Sequence, residues 1–515
     1  MKHKTLTQAM SWLHTWSGLI FGWLLFAIFL TGTVAVFDKE IDGWMRPEIP
    51  ASNLSQSAAA QQALDYLSRE HPQARTWNIG LPGERSDTLS VSAGEQRRGG
   101  GKPLDPQTGE LLQVRETAGG GFFFRFHFTL NLPRNLGIWI VGLAAMAMLV
   151  ALLSGIVIHK KFFKEFFTFR PAKGQRSWLD AHNATAVLVL PFHLMITYTG
   201  LVIFYLIYMP AAVDALFDGE RENLGRALRG APAEHQVRGE RNKPAEPSQP
   251  APLTALGPLL AEAERLMGPV AGLSIQNPGR SDARIEARPV LGNRIELTKG
   301  QSMLFDGVSG EVLRPPAVSR PSLLTQKVMA GLHFAQFGGY PMRWLYFVCG
   351  LASCAMLATG VVLFTVKRRR RHDGEGALGA LLYHAAERLN VAVVAGLMVA
   401  CVAFLWANRL LPVELAQRGG WEVRVFFLVW LLSLGHAIVR PWRCAWREQL
   451  GLAAVLCITL PALNLLGGSL GDYLYLELTC MALGVLLAWP CVKLCRPLKT
   501  QAGRRATAQP VVEAN

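Results

Sequence analysis

Residues 182–200 read HNATAVLVLPFHLMITYTG, and residues 14–32 read HTWSGLIFGWLLFAIFLTG. Each stretch opens on a histidine, runs through apolar side chains and reaches Thr-Gly, the glycine standing 18 residues on. Apolar runs of about 20 residues suit a bilayer. A second pair of stretches repeats in the same way. WIVGLAAMAMLVALLSG (Trp139 to Gly155) and WLYFVCGLASCAMLATG (Trp344 to Gly360) both place tryptophan and glycine 16 residues apart. FRFHF, with His127, stands before the first, and GLHFAQF, with His333, before the second.

The intervening segments repeat too. AAAQQALDYLSREHP is followed by strand-like WNIGL, TLSVSA and LDPQTGELLQV; LTALGPLLAEAERLM is followed by GLSIQN, ARIEARP and MLFDGVSGEVL. Each ends in a turn of Asp-x-x-[Thr/Ser]-Gly-Glu, at Asp105–Glu110 and Asp306–Glu311, where glycine supplies the positive φ that such hairpins want. Residues 1–367 therefore read as two copies of helix, small α+β domain, helix. A parallel duplication of this kind predicts a pseudo-two-fold axis along the membrane normal.

Half of the 515 residues are hydrophobic and only 17% are charged, which is too apolar for an ordinary soluble protein of this size. Apolar runs near 16–37, 137–158, 184–208, 344–366, 389–411, 423–439, 450–467 and 472–492 predict a polytopic α-helical membrane protein with about eight transmembrane helices. The first run follows MKHK, but its length and the lack of a small-x-small site in TGTVAVFD mark a retained anchor. The net charge is +15, and its placement is informative. HKKFFKEFFTFRPAKGQR, KRRRRH, RPWRCAWR and the C-terminal tail alternate with loops that are not basic. The positive-inside rule then puts these stretches and both termini in the cytoplasm. Beside membrane helices, the arginine run does not indicate nucleic acid.

All eight cysteines lie after residue 348, so the two large loops do not rely on disulfides. No Cys-x-x-Cys-His stands in the chain to attach a c-type haem. GGGK at 99–102 and GGGF at 119–122 lack the strand and helix context of a nucleotide loop.

The predicted organisation follows. Residues 1–37 form the N-terminal region and first helix, 38–135 the first external domain, and 136–160 the second helix. A basic loop at 161–181 leads to the third helix at 182–208. The second external domain covers 209–335, with a charged, Pro-rich insert at 219–253 expected to be disordered. The fourth helix is at 336–367, a four-helix extension at 384–495, and a cytoplasmic tail at 496–515.

The ordered set of helix 1 with its histidine, the Asp-Pro-x-Thr-Gly-Glu turn, His-Phe before Trp-x-x-Gly-Leu, and a third helix with His-Asn and Pro-x-His resembles the PepSY-associated transmembrane family. Within it, the chain is similar to FoxB-type inner-membrane siderophore reductases over about residues 8–370. The resemblance implies two PepSY-like periplasmic domains and a haem-bearing reductase of the bacterial inner membrane that acts on periplasmic ferric siderophores.

Of twelve histidines, six cluster at the repeated units: His14, His127, His159, His182, His193 and His333. Ionisable groups at membrane depth default to functional readings. His14, His159 and His182 fall at cytoplasmic helix ends, His127 and His333 on the external side, and His193 nearer mid-membrane. Two stacked b-type haems, each with two axial imidazoles, need this distribution. Pairing stays open. Repeat symmetry favours His182 with His14, and a hairpin between helices 2 and 3 favours His159. For the external haem, symmetry suggests His127 with His333, and the alternative uses His193. On a straight helix His193 would sit about 16 Å above His182, within roughly 20° of the same face, although Pro191 threatens that alignment. His159 and His193 correspond in the repeat to Phe364 and Leu25. Arg125, Arg134, Arg343, Lys160 and Lys161 are candidate propionate partners, with interfacial snorkelling as the alternative. Trp12, Trp139 and Trp344 are candidates to pack on porphyrin, with the aromatic belt as the alternative. His384 and His436 are weaker candidates for a third haem or a quinone.

The expected function is electron transfer from a cytoplasmic or quinol donor to a periplasmic Fe(III)-siderophore, releasing Fe(II). Membrane lipid surrounds the chain, and nucleic acid is not a partner. The alternatives are a non-enzymatic PepSY binding or protease-regulatory membrane protein, and a transporter.

Overall fold

The computed structural model describes residues 5–52, 54–94, 101–159, 170, 174–208, 211, 214–215, 248–292, 294–298, 301–369, 374, 376–467 and 473–495. Lys160, Lys161, most of the 161–181 loop, residues 219–247 of the expected insert and the 496–515 tail lie outside the described residues.

Helix α1 (Leu6–Ala35) starts at a capping box in which Thr5 and Gln8 satisfy each other's backbone N–H. It leads into α2 (Asp38–Trp44), α3 (Gln56–Glu70), β1 (Thr76–Gly80), β2 (Leu89–Ala93) and β3 (Lys102–Leu104). Helix α4 (Gly121–Thr129) precedes α5 (Arg134–Ile158). Then come α6 (Gln175–Leu188) and α7 (Leu190–Ile203), which meet at Val189 with a 66° bend. Pro191 has no N–H to donate back into α6, so the helix cannot run through straight. The second half adds α8 (Leu256–Met267), β4 (Val270–Gln276), β5 (Arg284–Pro289), β6 (Met303–Asp306), β7 (Val312–Arg314), α9 (Pro321–Phe334) and α10 (Gly339–Arg368). The C-terminal bundle is α11 (Gly376–Asn390), a π-helical stretch Val391–Gly396, α12 (Leu397–Leu410), α13 (Arg418–Val439), α14 (Trp442–Gly467) and α15 (Leu474–Cys495).

Among the described residues, six helices are long and apolar enough to cross a membrane, and seven if α6 and α7 make one span. The run expected to span at 450–467 forms most of helix α14, whose first turns carry Arg443, Arg447 and Glu448 ahead of it. The protein is a multi-pass membrane protein, mostly helical, with one small sheet.

The two loop domains expected from the sequence meet in a single sheet. Its seven strands run β3-β2-β1-β4-β5-β6-β7, every neighbour antiparallel. The halves join where β1 pairs β4, with Asn78 opposite Ser274 and their side chains hydrogen-bonded at 2.9 Å. Sequence periodicity marks strands but not which edges pair, so this join was not legible. One core serves both halves: Trp77, Ile79 and Val91 from the first, Leu273, Ile275 and Phe305 from the second, under Ala63 of α3 and Ala263 of α8.

The C-terminal bundle is fastened to both ends of this unit. Trp23 donates to Asn390 Oδ1 (2.8 Å), and Asn390 Nδ2 donates to the Val361 carbonyl (3.0 Å). At the sheet end, the fully buried Glu422 accepts from Thr117 Oγ1 (2.7 Å), the Ala118 N–H (2.8 Å), Arg418 Nη1 (2.7 Å) and Asn408 Nδ2 (2.8 Å). Both carboxylate oxygens are satisfied, which is the condition for keeping such a charge buried. Thr117 and Ala118 lie just before α4, so α13 helps set where α4 begins.

Candidate functional site

The histidines come together two by two. His14 of α1 faces His182 of α6 with ring centres 6.2 Å apart. His127 of α4 faces His333 of α9 with ring centres 6.0 Å apart. The first pair lies at the end of the helices distal to the sheet; the second lies on the sheet side. From His14 to Ile28, whose carbonyl holds His127, α1 rises about 21 Å.

Each of the four rings is held by the same device. Nδ1 of His14 meets the Ala151 carbonyl at 2.9 Å, and Nδ1 of His182 meets the Met356 carbonyl at 2.9 Å. Nδ1 of His127 meets the Ile28 carbonyl at 2.8 Å, and Nδ1 of His333 meets the Ile196 carbonyl at 3.1 Å. Every one of these carbonyls lies four residues before a glycine: Gly155, Gly360, Gly32 and Gly200. Each glycine is preceded by Ser154, Thr359, Thr31 or Thr199, whose hydroxyl donates to the carbonyl one residue earlier (2.8, 2.7, 2.7 and 2.7 Å) and lies 3.0, 2.9, 3.3 and 3.2 Å from the carbonyl that holds the ring. The glycine is required because the ring occupies the space of a side chain. A Cβ at Gly32 would lie 2.5 Å from the His127 ring, at Gly200 2.9 Å from His333, at Gly360 3.1 Å from His182, and at Gly155 3.3 Å from His14.

This arrangement fixes the chemistry of the rings. A carbonyl only accepts, so Nδ1 must carry the proton and Nε2 keeps its lone pair. Burial also pushes the pKa of His127 down, and that of His333 down further with His127 as its neighbour, so both stay neutral. Two neutral imidazoles with free Nε2 atoms can share one metal. A metal–imidazole bond of about 2.0–2.1 Å plus about 1.1 Å from nitrogen to ring centre, on both sides, places the centres about 6.3 Å apart. The observed separations, 6.2 and 6.0 Å, are close to the spacing that two Nε2 atoms aimed at one metal would give.

The other two expected histidines do not face a partner. His159 is the C-terminal cap of α5 and half-exposed, so His14 rather than His159 stands opposite His182. His193 is fully buried, and its Nε2 lies 2.9 Å from Ser353 Oγ. The bend at Val189 removes the vertical alignment of His182 and His193. His436 engages both nitrogens, with Glu448 (2.8 Å) and Gln449 (3.1 Å).

The sheet-side pair opens into a cavity of about 2290 Å³, larger than most small-molecule pockets. It extends from His127 and His333 to Arg85 in the β1–β2 loop and Ala271 at the start of β4. Arg125, Arg134, Arg343 and Lys327 line it as well. Trp344 packs on Phe37 and Phe347, and Trp139 on Tyr208, while Trp12 is exposed. The [Ser/Thr]-Gly dipeptide at all four helix ends was the signal in the sequence that would have found the carbonyl partners.

A model of the PepSY-associated TM region matches residues 11–367, which include all four facing histidines. An uncharacterised protein of Pseudomonas aeruginosa is 27% identical over 355 residues, covering 64% of this chain and 84% of that protein.

Proposed function

Because the chain belongs to the PepSY-associated transmembrane family, we propose that it is a bacterial inner-membrane ferric-siderophore reductase with a b-type haem at each facing histidine pair. The observation that carries this reading is the fourfold repeat of one arrangement: a neutral ring, Nδ1 tied to a helix carbonyl, Nε2 free, and a second such ring at the spacing of two axial ligands. Metal-ligating histidines are held by a second acceptor of this kind. In this reading His14 and His182 hold the cytoplasmic haem, and His127 and His333 the periplasmic one, with both termini cytoplasmic.

A haem at each pair would supply one-electron chemistry, carrying an electron from a quinol or a cytoplasmic flavoprotein across the bilayer to Fe(III) in a chelate on the sheet side. The chain's part is to fix the rings and keep them neutral. The Gly and Ser/Thr positions set ring depth, the helix carbonyls set the tautomer, and the apolar packing of Phe124, Phe128 and Phe334 beside the sheet-side pair limits water. Reduction lowers the charge and hardness of the substrate iron, so oxygen-rich siderophore ligands hold it less tightly and Fe(II) is released. A binding module or a transporter gives no role to four rings held alike.

The test is to reduce the purified protein with dithionite, remove the excess, and add a ferric siderophore with an Fe(II)-specific chromogenic chelator. Re-oxidation with one Fe(II) trapped per stored electron is expected. A reduced protein that stays reduced in the presence of ferric siderophore overturns the proposal.

A further inference from the structure

Arg343 sits in the first turns of α10, ten residues after His333, and lines the same cavity. It is 4% exposed, yet its Nε and Nη1 have no hydrogen-bond partner. Its guanidinium lies over the Tyr340 ring, 5.2 Å from the centroid. Of the carboxylates nearby, Glu84 acts on it through charge without a hydrogen bond to its Nε or Nη1, and the other two are committed elsewhere. Glu40 accepts Arg85 through both oxygens (2.9 and 2.7 Å) and the Tyr340 hydroxyl (3.2 Å), and Asp38 accepts Arg85 at 3.1 Å. Arg85 is thus fully paired, and Arg343 has an aromatic face and two idle donors.

A guanidinium does not shed its charge in proteins. Burying it unpaired is expensive, so the position suits a planar anionic acceptor. The residue is not a product of the duplication: counted from Trp139 and Trp344, its counterpart in the first half is Ile138. Tyr346, one turn on, donates to the Leu332 carbonyl at 2.6 Å and so ties this part of α10 to the residue beside His333.

We propose that Arg343 anchors an oxyanion site in the sheet-side cavity, taking a carboxylate borne either by the rim of a haem held between His127 and His333 or by an anionic ferric chelate docked above it. Either idle donor together with Nη2 makes a guanidinium edge that matches a carboxylate in two-point geometry, which a lysine would not reproduce. The haem source rests on the proposed function; the chelate source does not.

The experiment has two arms, both read as binding. In the first, the purified haem-free protein is titrated with haemin and with haemin dimethyl ester, in the wild type and in Arg343→Met and Arg343→Lys. If the carboxylate is haem-borne, the wild type holds the free acid at least tenfold more tightly at one site, Arg343→Met removes that preference, and Arg343→Lys restores part of it. In the second, ferric citrate and a neutral ferric tris-hydroxamate are titrated calorimetrically. If the carboxylate is chelate-borne, the wild type prefers the citrate complex and Arg343→Met loses tenfold or more for it alone. Both wild-type comparisons need no variant, so misfolding of Arg343→Met leaves them decisive. A wild type that distinguishes neither acid from ester nor anionic from neutral chelate overturns the proposal. Failure of either haemin compound to bind counts against the haem reading and leaves the second arm to decide this one.

Discussion

His193 Nε2 lies 2.9 Å from Ser353 Oγ, and Ser353 Oγ donates in turn to the Cys349 carbonyl at 2.8 Å. The serine hydroxyl therefore stands between the ring and that carbonyl, within hydrogen-bond distance of both. His193 thus makes its side-chain contact through Nε2, where the four facing rings bond through Nδ1. It ties α7 to α10 one turn from Ile196 and one turn from Met356, between the two pairs.

His193→Leu should consequently keep both haems. The expected change is in stability, since Ser353 loses a buried partner at a cost of about 1–3 kcal/mol. Haem content per chain and the melting temperature of the purified variant check this. Loss of one haem with unchanged stability would make His193 a ligand after all.

The glycines grade the effect of an added methyl. Gly32→Ala drives Cβ to 2.5 Å from the His127 ring, and Gly155→Ala only to 3.3 Å from His14. Gly32→Ala should lose the sheet-side haem or shift its midpoint potential, at a packing cost of about 1–3 kcal/mol. Gly155→Ala should keep the distal haem. Potentiometric titration of the two variants distinguishes them, and equal behaviour would contradict the carbonyl-and-glycine account of ring placement.

Glu422 connects the C-terminal bundle to the site. Glu422→Ala leaves the buried Arg418 without its charge partner and frees Thr117 and Ala118 from α13. Breaking a buried pair in this way costs about 3–5 kcal/mol. The expected result is a lower melting temperature together with selective loss of the His127–His333 haem. Equal loss of both haems would mean that α13 supports the whole bundle rather than the start of α4.

The repeated turns give a pH prediction. Asp306 accepts from the N–H groups of Ser309 and Val308 (both 3.0 Å) and from Arg284 (2.7 Å), and these bonds hold its pKa below the ordinary carboxylate value. A depressed pKa stabilises the fold above the unfolded-state value and loses that contribution as pH falls through the folded-state value. Asp306→Ala should therefore lower the melting temperature at pH 7, and the difference from wild type should shrink below about pH 4. A difference that persists unchanged at pH 3 would assign the effect to the turn's hydrogen bonds rather than to the charge of Asp306.

Much of this was legible in the sequence because the duplication preserves spacing. The intervals His14–Gly32 and His182–Gly200, and Trp139–Gly155 and Trp344–Gly360, located all four repeated helices. They also marked the four glycines that the rings press against. The turns at Asp105 and Asp306 fold alike, with Gly109 and Gly310 at φ 73° and 78°. That His14 rather than His159 lies beside His182 needed three dimensions, because repeat symmetry pointed to His14 and the α5–α6 hairpin to His159. The joining of two domains into one sheet depended on edge pairing between β1 and β4, which leaves no trace in periodicity. The attachment of the C-terminal bundle rests on Glu422 and Asn390, whose partners Thr117 and Trp23 lie hundreds of residues away and which have no repeat partner to point to them.

The central claim is that His14 with His182, and His127 with His333, each hold one haem. It is tested most directly by haem stoichiometry and low-temperature EPR of the protein expressed with ample haem, beside His182→Ala, His333→Ala and His159→Ala. The account predicts two low-spin bis-imidazole haems per chain, loss of a different one in His182→Ala and in His333→Ala, and no loss in His159→Ala. A colourless wild type, or a haem that disappears only in His159→Ala, would contradict it.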